Sequence, residues 1–205
     1  MINIILLSGA CYSGKSYIKK AWLAYKQNDF KWFGGAFAQQ LKEEMDSLAL
    51  IDKKKLSDNT YKNSVRKSMQ EYGQKRRAWS PDYWAAKLHA AIGDDFDGGA
   101  TYIVDDWRFI NEAEYFKKEG FNVTTIRVFR PVEMMIESVG QAVVADYLET
   151  HAKDISETEL QHKYATDLGY FDFVIFNNQN GSGHLIKKFA EIENYINKGA
   201  KEKCV

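Results

Sequence analysis

The residues best suited to chemistry stand near the start of the chain. Gly9-Ala10-Cys11-Tyr12-Ser13-Gly14-Lys15-Ser16 matches G-x-x-x-x-G-K-[ST] at every fixed position. Glycines at both ends let the backbone curl around a polyphosphate with its N–H groups turned inward. A helix starting near Lys15 would add its positive N-terminal end to that cradle. Lys15 is the residue to neutralise charge on β- and γ-phosphates, and the Ser16 hydroxyl is the residue to ligate Mg²⁺. The flanks agree: Ile2–Leu7 is a nearly continuous apolar run, suited to a strand buried on both faces, and Tyr17–Tyr25 is amphipathic.

Three further apolar runs each end in polar residues. Thr101–Val104 ends in Asp105-Asp106-Trp107-Arg108, Phe121–Phe129 in Arg130-Pro131, and Phe171–Phe176 in Asn177-Asn178. In a parallel sheet covered on both faces, ligands bind beyond the carboxyl ends of the strands. These groups and the phosphate loop are therefore expected to converge on one crevice. Phosphoryl transfer needs two substrates held in line and charge neutralised on the moving group. Lys15, Arg108 and Arg130 are the expected cations, arginine because its planar fork grips two phosphate oxygens. Asp105 or Asp106 would position Mg²⁺ through water; strand alternation puts them on opposite faces.

The elements that must hold these groups alternate between strand and helix. Helices are expected over Lys15–Gln27, Ala36–Leu48, Tyr61–Tyr72, Asp82–Ile92, Asn111–Glu119, Val132–Ser138 and His184–Asn197. Gly73 reads as a C-cap, and Ser80-Pro81-Asp82 as an N-cap with Pro at the first helical position. Leu41, Met45 and Leu48 form a core stripe. Asn28–Gly35 suits a loop or a short strand. Lys53-Lys54-Lys55 suits a solvated loop, Asp94, Asp95 and Asp97 a solvated turn rather than a calcium loop, and Lys198–Val205 a frayed tail. The fold class is α/β, with a parallel sheet and helices on both faces.

With 205 residues there is room for one domain and a small insertion. Formal net charge is zero, so no global field draws the chain to nucleic acid or an anionic membrane. Neither is expected as a partner. Cys11 and Cys204 make no disulfide framework and no zinc spacing. Met1–Leu7 runs straight into the phosphate loop and reads as a strand, not a signal peptide. A cytoplasmic setting is expected.

Several motifs in order give a more specific resemblance. After the phosphate loop come Phe37-Ala-Gln-Gln-Leu-Lys42, then Arg66-Lys-Ser-Met-Gln70-Glu-Tyr-Gly73, Arg76/Arg77 and Asp82-Tyr83-Trp84. Asp106-Trp-Arg108-Phe-Ile-Asn-Glu112-Ala113 is the most diagnostic, followed by Arg130-Pro131 and Ser156-Glu157. Over nearly its whole length the chain resembles the deoxynucleoside monophosphate kinases of bacteriophages, within the P-loop kinase superfamily.

The resemblance implies a three-layer α/β/α core (1–35, 99–139, 169–197), a helical monophosphate-binding region (36–98) and a lid (140–168). It implies ATP as phosphoryl donor with Mg²⁺, and a deoxynucleoside 5′-monophosphate as acceptor in the host cytoplasm. Lys42, Arg66, Arg76 or Arg77, and Arg108 would surround the acceptor phosphate. Gln70, Asp106 and Glu112 belong to the same substrate-binding motifs, and Phe37 and Trp84 would shape a base pocket or else pack as core. Gly9 to Ser16, Arg130 and Asn177 would bind ATP, and Arg130 with Gln141–Lys153 would belong to the lid. Related enzymes are often dimers. The chain departs from the pattern at Asp154, where the family has His, at the acidic Asp105, and in a lid poor in arginine. Two other readings stay open: a P-loop kinase for another small phosphate acceptor, such as phosphomevalonate or dephospho-coenzyme A, and a nucleotide-dependent switch.

Overall fold

The computed structural model describes residues 1–93, 99–150, 158–161 and 168–202. The expected turn at Asp94, Asp95 and Asp97, the lid residues His151, Asp154, Ser156 and Glu157, and the end of the tail lie outside the described residues. Along the chain run β1 (Asn3–Ser8), α1 (Lys15–Tyr25), β2 (Trp32–Gly35), α2 (Phe37–Ser47), a 3₁₀ turn (Lys53–Ser57), α3 (Asn59–Trp79) and α4 (Tyr83–Ile92). Then follow β3 (Thr101–Val104), α5 (Ile110–Lys118), β4 (Asn122–Phe129), α6 (Val132–Val139), α7 (Gln141–Thr150), β5 (Phe173–Phe176) and α8 (Gly183–Glu202). They form two compact units, one of Met1–Gly34 with Asp95–Val205, the other of Gly35–Asp94.

The first unit is built on a five-stranded parallel sheet of order β2-β3-β1-β4-β5. β1 is central: Ile5 lies opposite Ile103 on one side and Thr124 on the other. That position explains its composition, since Ile4 to Leu7 are wholly buried and each such side chain contributes about 1.5–3 kcal/mol. Ile5 and Leu7 share a cluster with Ile18 and Trp22 of α1 and with Leu185, Phe189 and Ile192 of α8. Within it Trp22 stacks on Phe189, centroids 4.4 Å apart. Ile4 and Leu6 alternate to the opposite face. On the other side of the chain's alternation, α5 packs on β4, and its Phe116 meets Phe121 edge-on at 5.0 Å. Every strand expected from the sequence is present, the short one at Trp32–Gly35 included.

The second unit is helical, and here local signals misled. α3 does not end at Gly73 but runs through it to Trp79, and Ser80 caps it. Gly73 is a packing point: the Trp84 indole N–H donates to its carbonyl at 3.2 Å, and a Cβ there would lie 3.0 Å from Leu41 Cδ1. Pro81 ends α3, and α4 starts at Tyr83 with no side-chain cap. Lys53–Ser57 is a 3₁₀ turn instead of a loop, opened by Asp52, whose carboxylate accepts the Lys54 N–H. Leu48 is 52% exposed and not core, because α2 ends before it, whereas Met45 is buried.

A carboxylate organises this unit. Glu44 of α2 accepts the Tyr72 hydroxyl and the Tyr83 hydroxyl at 2.6 Å each, and pairs with Arg76 at 2.8 Å and Lys87 at 3.4 Å. The Arg76 guanidinium also lies over both phenol rings. One residue thus ties α2 to α3 and α4. Burial pushes the Glu44 carboxyl up, but the bonds from Tyr72 and Tyr83 and the charge of Arg76 outweigh it and hold the group below the usual 4.5. Glu44→Gln should lower unfolding stability by about 1–3 kcal/mol in urea titrations followed by circular dichroism. A depressed folded value stabilises above the unfolded value and is lost as pH falls through the folded one. The gap between wild type and variant should therefore be full at neutral pH and close below pH 4.5.

Candidate active site

The loop between β1 and α1 has its shape forced by two close approaches. Gly14 has φ +91°, which side chains rarely adopt, and a Cβ on it would collide with Asn177 Nδ2. That amide, from the residue after β5, donates to the Ser13 carbonyl at 3.0 Å across 164 residues of sequence. A Cβ on Gly9 would lie 2.5 Å from the Val128 carbonyl. Between the glycines, Tyr12 is left-handed at φ +63°, a conformation that costs a non-glycine residue energy. Lys15 Nζ donates to the Gly9 and Ala10 carbonyls at 2.7 Å each, bridging the mouth of the loop. Ser16 is exposed in the first turn of α1.

The expected convergence at the strand ends is present. Asp105, after β3, pairs with Lys19 of α1. Arg108 stands close enough to Lys15 to depress its pKa. Arg130 NH1 comes within 3.8 Å of where a Gly14 Cβ would be, and its NH2 donates to the Met134 carbonyl. Burial is the largest influence lowering the Lys15 pKa, followed by Arg108; Cys11 opposes them, Arg127 adds to them, and the pKa comes to about 8. Cations crowded this way favour an anion between them.

Glu112 has a different task from the one expected. It is 2% exposed, and Oε2 accepts the backbone N–H of Arg108 at 3.0 Å and of Phe109 at 3.1 Å. It therefore holds the backbone that carries Arg108. The Trp107 indole locks the same turn by donating to the Phe109 carbonyl at 2.7 Å. Asp106 is half-buried beside it. The oxygen donors at Ser16 and Asp105 suit Mg²⁺, a hard cation held mostly by water and substrate phosphate. Among the described residues, no cluster of three or more His, Cys, Asp or Glu forms a larger metal site.

Two site residues escaped the sequence reading. Arg127 is 5% exposed in the middle of β4 and donates to Ser8 Oγ at 3.0 Å. A charged residue inside a buried strand was the signal for it. Tyr147 of α7, within the stretch the resemblance gave to the lid, places its hydroxyl on the Cys11 N–H at 3.2 Å; nothing in the local sequence singled out this residue.

In the helical unit, Lys42, Arg66, Gln70 and Arg77 are half-buried. Arg76 is engaged with Glu44, Tyr72 and Tyr83. Phe37 and Trp84 are both buried, and the Trp84 indole is bonded within the unit.

A strand, a glycine-bounded phosphate loop, a helix that starts at Lys15 and cations gathered near the strand ends define a P-loop kinase, acting on a small substrate. Comparisons with known proteins agree. The family model for phosphomevalonate kinase matches residues 7–122, more than half of the chain. The chain belongs to that family. Shikimate kinase from Acinetobacter baumannii, solved with shikimate, is similar in fold with a TM-score of 0.51 at 10% identity, covering 95% of this chain and 94% of that one. Shikimate kinase from Bacteroides thetaiotaomicron gives 0.47 at 10% identity, covering 96% and 98%. No curated protein sequence matches significantly. No helix among the described residues is long and apolar enough to cross a membrane.

Lys15 provides a test of the site. A bound polyphosphate favours the ammonium, raising a pKa that starts at about 8. Nucleotide binding should therefore take up a proton above pH 8 and weaken as pH rises further. Calorimetry of ADP binding in buffers of different ionisation enthalpy should show the uptake, absent at pH 6.5 and absent at all pH in Lys15→Arg, whose guanidinium does not titrate.

Proposed function

We propose that this protein transfers the γ-phosphoryl group of ATP to the phosphate of a deoxynucleoside 5′-monophosphate, giving a diphosphate and ADP. A 5′-phosphate oxygen of the acceptor attacks the γ-phosphorus as the bond to the ADP oxygen breaks. Lys15 and the loop amides hold the donor phosphates. Arg108, from a turn pinned by Glu112 and Trp107, faces Lys15 and offsets charge on the moving group. Arg130 and Asn177 brace the loop from β4 and β5. Mg²⁺, held by Ser16 and through water by Asp105, would offset negative charge on the donor phosphates. Lys42, Arg66 and Arg77 are proposed for the acceptor phosphate, with Gln70 and Asp106 among the remaining acceptor contacts. Arg76 is proposed to act through the Glu44 hub.

The observation that carries this reading is the Asp106–Ala113 segment, whose arginine is presented by a buried carboxylate beside the phosphate loop. The order of the other motifs supports a nucleotide acceptor. The family match favours a second reading, in which phosphomevalonate is the acceptor. Both acceptors are phosphate monoesters, so the same cations serve either.

A coupled assay for ADP discriminates. With ATP and Mg²⁺, ADP should form with one or more of dAMP, dGMP, dCMP and dTMP, and not with phosphomevalonate or without acceptor. Turnover with phosphomevalonate alone assigns the second reading, and ADP made at full rate without acceptor assigns a switch. Arg108→Ala should lower kcat by about 10²–10³ with an unchanged thermal midpoint.

A further inference from the structure

Helix α7 is attached through few side chains. Of its 10 residues, Val144 and Tyr147 are buried, one turn apart on the same side. Tyr147 is 6% exposed and reaches the phosphate loop 136 residues away in sequence. Its hydroxyl accepts the Cys11 N–H at 3.2 Å, and its ring meets Tyr12 edge-on, centroids 5.9 Å apart at 84°. Both partners lie between the two motif glycines. A phenylalanine would fill the same space. The hydroxyl adds a bond from α7 to the backbone of the loop that holds the donor phosphates. A buried phenol without a partner would cost stability.

The transfer reaction has a competitor. Water can attack the γ-phosphorus in place of the acceptor, giving inorganic phosphate and ADP and releasing its proton to solvent. Whatever covers the loop must keep water out while the acceptor is held. An edge-on aromatic pair with a hydroxyl anchored to the loop does both, since it is apolar outward and bonded inward.

We propose that Tyr147 is a positioning residue for phosphoryl transfer: by bonding the Cys11 amide it fastens α7 over the phosphate loop and so favours the acceptor over water. The proposal rests on the phosphoryl-transfer reading but not on which monoester is the acceptor. Cys11 itself reports the contact, because its half-buried thiol sits on the residue whose amide Tyr147 holds.

The test is Tyr147→Phe in the full chain. The rate of Cys11 alkylation by iodoacetamide, read on the loop peptide by mass so that Cys204 does not contribute, should rise about two- to tenfold, the worth of one net hydrogen bond. The ratio of acceptor-free ATP hydrolysis to transfer should rise, while the thermal midpoint falls by about 2–4 °C, the worth of one net hydrogen bond. Hydrogen exchange at the Cys11 amide should quicken by a similar factor. Equal alkylation and equal amide exchange in the two proteins would overturn the proposal. Failure of the underlying kinase reading is distinguishable, because it shows as absent acceptor-dependent turnover in wild type, whereas alkylation and exchange need no substrate.

Discussion

A single amide from the end of β5 sits where a side chain at Gly14 would be. Asn177 closes onto the Ser13 carbonyl, and it can do so only because residue 14 has no Cβ and takes a left-handed backbone. That contact joins the last strand of the sheet to the loop after the first. Since β1 is central and β5 is at the edge, the loop's shape depends on the whole sheet being assembled in its order. The phosphate cradle is a property of the folded sheet as much as of an eight-residue motif.

Charge is the second constraint. Lys15, Arg108 and Arg130 follow three different strands and Arg127 lies within β4, with Asp105 tied to Lys19 among them. Taking cations out of water beside one another is unfavourable. The chain tolerates it by fixed hydrogen-bond partners: the Glu112 carboxylate on the Arg108 turn, the Ser8 hydroxyl on Arg127, the Met134 carbonyl on Arg130. The cost appears as a lysine whose pKa has fallen to about 8. A polyanion relieves that crowding, which is why such an arrangement binds phosphate strongly and is oriented before it does.

The helical unit solves a different problem with similar means. Its α2, α3 and α4 carry many charged and aromatic side chains, and one carboxylate at Glu44 gathers two phenols, an arginine and a lysine. Arg76 is consumed in that hub, while NH1 of its neighbour Arg77 lies 3.5 Å from where a Cβ on Gly73 would be.

Much of the sheet was legible in the linear pattern. Central parallel strands must be apolar on both faces, so Ile4–Leu7, Thr101–Val104 and Phe121–Phe129 announced themselves, and the polar residues after them fell at the sheet's carboxyl edge. The helical unit was less legible. Gly73 carries the local mark of a helix end, yet tertiary packing uses it as the place where Trp84 and Leu41 approach the backbone. Sequence by itself pointed to the phosphate loop, the alternating α/β order and the cations Lys15, Arg108 and Arg130, because these follow from local backbone requirements and period. Only the tertiary structure decided that Glu112 serves the backbone, that Trp84 is buried, that Arg127 joins the site and that Tyr147 reaches Cys11. Those assignments depend on which distant surfaces meet, and side-chain type carries no information about its partner across 136 residues.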